Sequence, residues 1–185
     1  MGRFNVVETG IDDLKIIKYE PFLDSRGYFF EAYNKNDFIK MGIVDEFVQD
    51  NESMSSKGVL RGLHFQINYP QSKLVRCLKG KVYDVAVDIR KGSKTYGKYF
   101  GVELNEDNHT MFYIPKNFAH GFLVLSDVAI FTYKVTDFYH PNDEGGIMYN
   151  DPDLNIKWPI PDDANFKILL SDKDKIHPYF KDLKV

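Results

Sequence analysis

Cysteine is almost missing from this sequence: of 185 residues, only Cys77 carries a thiol. A single thiol cannot close an intramolecular disulfide or build a zinc knuckle, so both are excluded. In "KLVRCLKG" it reads as a buried, inert side chain in a strand. No apolar run approaches the roughly 20 residues that a membrane-spanning helix needs. The stretch "MGRFNVVETG" lacks the apolar core of a secretory signal. Neither sign of charge is in excess, since 24 Lys and Arg oppose 27 Asp and Glu for a formal net of −3. That balance leaves no bulk electrostatic footprint for nucleic acid or an anionic membrane. The expectation is a cytoplasmic protein with neither as a partner.

Aromatic residues are plentiful, with 15 Phe and 12 Tyr, which favours strands and aromatic-lined pockets. The length suits one well-buried core, so residues 1–185 read as a single domain. Runs of β-formers such as "LKIIKYE", "GYFFEAY", "FVQDNES", "KVYDVAVDI", "AHGFLVL" and "AIFTYKVTDFY" recur between Gly, Pro, Asn and Asp, the rhythm of a sandwich or barrel. Only "NKNDFIKMG" (34–42) reads as a helix, ended by Gly42. From "HPNDEGG" onward the chain reads as loops with a helical turn or two.

Alternate residues of a strand share a face. In "KVYDVAVDIR", Tyr83, Val85, Val87 and Ile89 make one apolar face, and Val82, Asp84, Ala86, Asp88 and Arg90 lie on the other. In "IFTYKVTDFY", Phe131, Tyr133, Val135, Asp137 and Tyr139 share a side, which suits either a polar cavity or an outer surface.

"GVLRGLHFQ" (58–66) sets His64 in a strand behind Arg61. A histidine there can be a metal ligand, a catalytic base or a packed core residue. With "IPKNFAHGF" and its His120 more than fifty residues later, it resembles the two halves of a cupin barrel. Metal-binding cupins carry His-x-His and a Glu in the first half. Here Gln66 stands at the second His, no Glu follows, and Lys73 brings a positive charge, so no metal site is expected.

The wider pattern is more specific. "DSRGYFFE", "FVQDNES", "GVLRGLHFQ", "PQSKLVRCLKGKVYDVAVDIR", "YGKYFGVEL", "IPKNFAHGFLVL", "YKVTDFYHPNDEGGI", "NDPDLNIKWP" and "LSDKD" together resemble the dTDP-4-dehydrorhamnose 3,5-epimerase family, in family order. The resemblance implies an all-β fold, a cupin-type jelly-roll sandwich or barrel with a few short helices, mainly near the C-terminus. It implies a homodimer with exchanged N-terminal strands, acting on a nucleotide-sugar in dTDP-rhamnose synthesis with no cofactor and no metal.

Its reaction inverts C3 and C5, both acidified by a C4 ketone, and needs a base, an oxyanion stabiliser and an acid on the opposite face. The resemblance assigns the base to His64, with Asp174 as its carboxylate partner ahead of Asp172 and Asp84. Lys73 is matched to the oxyanion stabiliser and Tyr133 to the proton donor. His120 matches a sugar-orienting position, Arg26 and Arg61 match diphosphate arginines, and Tyr139 matches the residue stacked on thymine. Glu31, Gln49, Asn51, Glu144 and Lys173 match further substrate contacts. Strand parity sets one problem, because Arg61 and His64 point to opposite faces of a regular strand; a bulge or a shared dimer site would remove it. Single-centre epimerases or ketoisomerases on a related nucleotide-sugar, and a non-catalytic sugar-binding cupin, are the alternatives.

Overall fold

Short β-branched and aromatic runs, each closed by a turn residue, lack the 3.6-residue apolar repeat of helices and pair instead as strands. A computed structural model describes residues 3–183. Its strands are β1 (Phe4–Glu8), β2 (Lys15–Tyr19), β3 (Phe22–Asp24), β4 (Gly27–Phe29), β5 (Gln49–Ser56), β6 (Leu60–Gln66), β7 (Lys73–Lys79), β8 (Lys81–Asp88), β9 (Tyr99–Asn105), β10 (Thr110–Ile114), β11 (Phe118–Val124), β12 (Val128–Val135) and β13 (Glu144–Gly146). One sheet runs β1-β2-β10-β7-β12-β5, and a second runs β13-β6-β11-β8-β9. The two pack face to face as a cupin-type sandwich, and β3–β4 form a separate hairpin.

The main core fills the space between the sheets. Val75, Phe112 and Phe131 enter it from the six-stranded sheet, and Val82, Ala86, Leu104 and Phe122 from the other. The outer faces are covered as well. Leu63, Val85 and Val87 pack against Leu154, Trp158 and Phe180 of the C-terminal segment, while Ile17, Leu74 and Met111 pack against Phe38 and Ile43. Both faces of β8 are therefore interior, and Asp84 sits at 0% exposure between the sheets. Cys77 is buried as expected, and burial pushes its thiol up to about 11.

Helix α1 (Lys35–Lys40) lies within the stretch read as helical. Asn34 caps it by accepting from the backbone N–H groups of Asn36 and Asp37, and Gly42 leaves it at φ 80°. The expectation of helices mainly near the C-terminus is corrected. Among the described residues that region holds one 3₁₀ turn, Phe180–Asp182, because frequent Pro and Asp leave no run long enough for an α-helix. "GYFFEAY" is strand only over Gly27–Phe29. Three strands carry no clear signal in the sequence: β1, the three-residue β3, and the three-residue β13, held by β6 through the register Gly146↔His64.

Candidate active site

Register places the site at one open end of the sandwich. In the six-stranded sheet, Asn51 of β5 lies opposite Tyr133 of β12, and Lys73 of β7 lies opposite Val135. These residues share the inner face with core residues Val75 and Phe131. In the facing sheet, His120 of β11 lies opposite His64 of β6, and Asp84 of β8 opposite Phe122. Between them is a cleft of about 290 Å³, lined by Gln49, Asn51, His64, Lys73, Tyr133, Tyr139 and Glu144 among others. An adjoining recess shares His64, Lys73 and Tyr133 and adds Arg61 and His120.

His64 Nε2 lies 2.6 Å from Asp174 Oδ1, and the Ser171 hydroxyl donates to Asp174 Oδ2 at 2.7 Å. Burial alone would raise the Asp174 carboxyl, but the hydrogen bonds from His64 and Ser171 outweigh it and hold the group at about 2. A carboxylate on Nε2 fixes the proton there and leaves Nδ1 as the nitrogen with a free lone pair. Of the other two candidate partners, Asp172 is fully exposed and pairs with Lys175, and Asp84 pairs with His120.

His120 Nε2 is 3.0 Å from both Asp84 oxygens. Burial pulls this imidazole toward its neutral form. Burial also pushes the Lys73 ammonium down to about 8, against the opposing pull of the Asp84 and Glu144 carboxylates. The Tyr133 phenol is raised, first by burial, so it keeps its proton at neutral pH.

The parity conflict is removed by a β-bulge. Between the pairs His120↔His64 and Phe122↔Arg61, β6 spends three residues where β11 spends two, so Arg61 returns to the face of His64. Gly62 makes the bulge possible. Its φ is 114°, and a Cβ there would stand 2.6 Å from both the His120 carbonyl oxygen and the Gly121 Cα. Arg61 is steered by the Ser55 hydroxyl, to which its Nε and Nη2 donate at 3.2 and 3.1 Å.

Gln49 and Asn51 lie on the same face of edge strand β5 and are joined by a 2.8 Å hydrogen bond. Glu144 accepts from Lys173 Nζ at 2.7 Å and from the Tyr139 hydroxyl at 3.4 Å, which ties the rim of the cleft together. Tyr139 lies beyond the end of β12, so a loop and not strand alternation brings it beside Tyr133. Two expected residues do not join the cleft within one chain. Arg26 is exposed on the β3–β4 hairpin and paired with Asp24, and Glu31 accepts from Asn34.

The cupin metal position does not fit an ion. Gln66 is engaged as a loop clamp: its amide nitrogen donates to the carbonyls of Tyr69 and Phe138, and its oxygen accepts from the His140 N–H. Two groups beside the dyad escaped sequence reasoning, Ser171 and His177. Both follow from the C-terminal turn that carries Asp174, and only its folding against β6 reveals them.

Residues 8–182 match the family model described as dTDP-4-dehydrorhamnose 3,5-epimerase. The chain is 50% identical over 177 residues to the dTDP-4-dehydrorhamnose 3,5-epimerase of Methanothermobacter thermautotrophicus, an overlap of 95% of this chain and 94% of that one. Its Escherichia coli K12 counterpart is 51% identical over 173 residues, 92% of this chain and 91% of that one. Among solved structures, it is similar to dTDP-6-deoxy-D-glucose-3,5-epimerase from Legionella pneumophila Philadelphia 1 in complex with dTDP-4-keto-L-rhamnose. That pair has 48% identity and a TM-score of 0.94, covering 98% of this chain and 95% of the other.

Proposed function

The chain belongs to the dTDP-4-dehydrorhamnose 3,5-epimerase family, and we propose that it is the isomerase that inverts C3 and C5 of dTDP-4-dehydro-6-deoxyglucose, acting in dTDP-rhamnose synthesis. The observation that carries this reading is the cleft in which His64, paired to Asp174, comes from one sheet while Tyr133 and Lys73 come from the other. Base and acid thus approach a bound sugar from two sides, as inversion requires.

The C4 carbonyl acidifies the C–H bonds at C3 and C5. His64 Nδ1 takes the proton, the C–H electron pair moves into the enolate, and Asp174 stabilises the resulting imidazolium. The Lys73 ammonium holds the enolate oxygen. Tyr133 returns a proton to the opposite face of the carbon. The phenolate then recovers a proton from solvent and His64 releases one, so the balance closes at each centre. His120, fixed by Asp84, orients the sugar without exchanging a proton.

In the same reading the nucleotide lies along the mouth of the cleft. Arg61 grips diphosphate oxygens, and Tyr139, half exposed at the rim, stacks on thymine. Gln49, Asn51, Glu144 and Lys173 complete the contacts. Arg26 and Glu31 reach a cleft only from a second subunit, so the functional unit is a homodimer. Strand β1 pairs with β2, and β2 with β10 of its own chain, which leaves the β3–β4 hairpin as the exchanged element. The family match across 8–182 supports one domain, and the nucleotide-sugar substrate supports a cytoplasmic location.

Incubation with dTDP-4-dehydro-6-deoxyglucose in D₂O, followed by NMR, tests the reading. Deuterium at both C3 and C5 is the expected result. Exchange at one carbon would make this a single-centre epimerase, and no exchange in folded protein would sink the proposal.

A further inference from the structure

The cupin metal position holds Gln66, a loop clamp, where a ligand histidine would stand. A different donor set forms 110 residues further along the chain from His64. Asp174 and His177 lie three residues apart in the turn "SDKDKIH" (171–177), and both face His64. One donor atom from each of His64, Asp174 and His177 falls within 4.8 Å of the other two.

The position of His177 is built, not incidental. Its ring rests on Gly146, where an added Cβ would meet ring atoms at 2.3–2.5 Å, and Gly146 is the register partner of His64. The ring is edge-on to His64 at 5.4 Å. Its Nε2 is buried, 3.5 Å from Asp174 Oδ1, and makes no hydrogen bond among the described residues. A buried polar nitrogen without a partner costs free energy unless something else satisfies it.

We propose that His64, Asp174 and His177 form a binding site for a zinc-like divalent cation that reversibly inactivates the enzyme by occupying the dyad. Bond lengths near 2.0–2.1 Å in a tetrahedral shell put neighbouring donors about 3.3 Å apart. Asp174 and His177, at 3.5 Å, already span that distance. His64 and Asp174, at 2.6 Å, need to part by about 0.7 Å as the ion replaces the proton between them. Two imidazoles and a carboxylate are a donor set such an ion accepts, and a water from the cleft completes the shell. Glu144, itself paired with Lys173, contributes some negative charge near His177.

The consequence for His64 follows from its tautomers. A metal on Nε2 moves the ring proton to Nδ1, and Nδ1 then has no lone pair to accept a substrate proton. Only this silencing step rests on the proposed role of His64 as base; cation binding does not.

The test titrates full-length protein with cobalt chloride, reading visible absorption, and with zinc chloride, reading deuterium exchange on substrate against the same sample in EDTA. Intense bands of four-coordinate Co²⁺ at one ion per chain and full, EDTA-reversible loss of exchange with Zn²⁺ are expected. His177→Ala and His177→Asn should each weaken both effects by about 10-fold or more. The two variants guard against a folding defect in either one. Absence of the Co²⁺ bands in wild type, or wild-type binding by both variants, overturns the site. Bands with unimpaired exchange overturn the silencing of His64, whatever the basal activity.

Discussion

Lys73 must hold its proton to stabilise an oxyanion, and burial works against it by lowering its pKa to about 8. The ammonium is present below that value and is lost as pH rises through it, so kcat/KM should fall on an alkaline limb near pH 8. Replacing Lys73 with Met should lower kcat by about 100-fold or more and remove that limb, which a pH–rate profile reads directly. Asp174 makes a different demand, on a tautomer. In Asp174→Asn an amide N–H can face His64 Nε2 and drive the ring proton onto Nδ1. Exchange at both carbons should then drop by about 100-fold or more, although the side chain keeps its size. Tyr133→Phe should separate the two halves of the reaction. Deuterium wash-in should persist while inversion is lost, and a fully active variant would exclude the phenol as donor.

At the scale of the element, β6 carries the decision. Without its bulge, Arg61 would point away from His64 and would not share its cleft. Gly62 pays for the close approach of β6 to β11 with its missing side chain. Gly62→Ala meets both a positive φ and backbone contacts at 2.6 Å, so it should cost about 2–4 kcal/mol in urea unfolding. Its damage should also appear as raised KM, because the Arg61 side chain moves with the bulge. The parity of "GVLRGLHFQ" exposed the conflict in the sequence, but not which residue would be extra. That depends on the partner strand, since a bulge is a mismatch between two strands and belongs to neither alone.

At the scale of the whole molecule, the β3–β4 hairpin is unfinished. Leu23 is 76% exposed and both Tyr28 and Phe29 are 67% exposed, with Arg26 between them. β5, which carries Gln49 and Asn51 into the cleft, is an open sheet edge that a second chain can cover. Light scattering should therefore give about twice the 21.5 kDa chain mass. Leu23→Asp combined with Phe29→Asp should shift the protein toward monomer and raise KM. A fully active monomer would show that Arg26 and Glu31 serve no cleft.

Local chemistry was enough to settle some features from the sequence: strand-rich architecture from the aromatic and β-branched runs, the short helix ended by Gly42, and the buried thiol of Cys77. The ordered motifs placed His64, Lys73 and Tyr133 in one family pattern. Tertiary structure decided what depends on residues meeting across long stretches of chain. It chose Asp174 over Asp84 for His64, because β8 turns Asp84 toward His120. It made the face of Tyr133 a cavity, because a second sheet lies opposite. It also set His177 beside the dyad, a neighbour that sequence spacing could not reveal because contact between β6 and a C-terminal turn is fixed by packing alone.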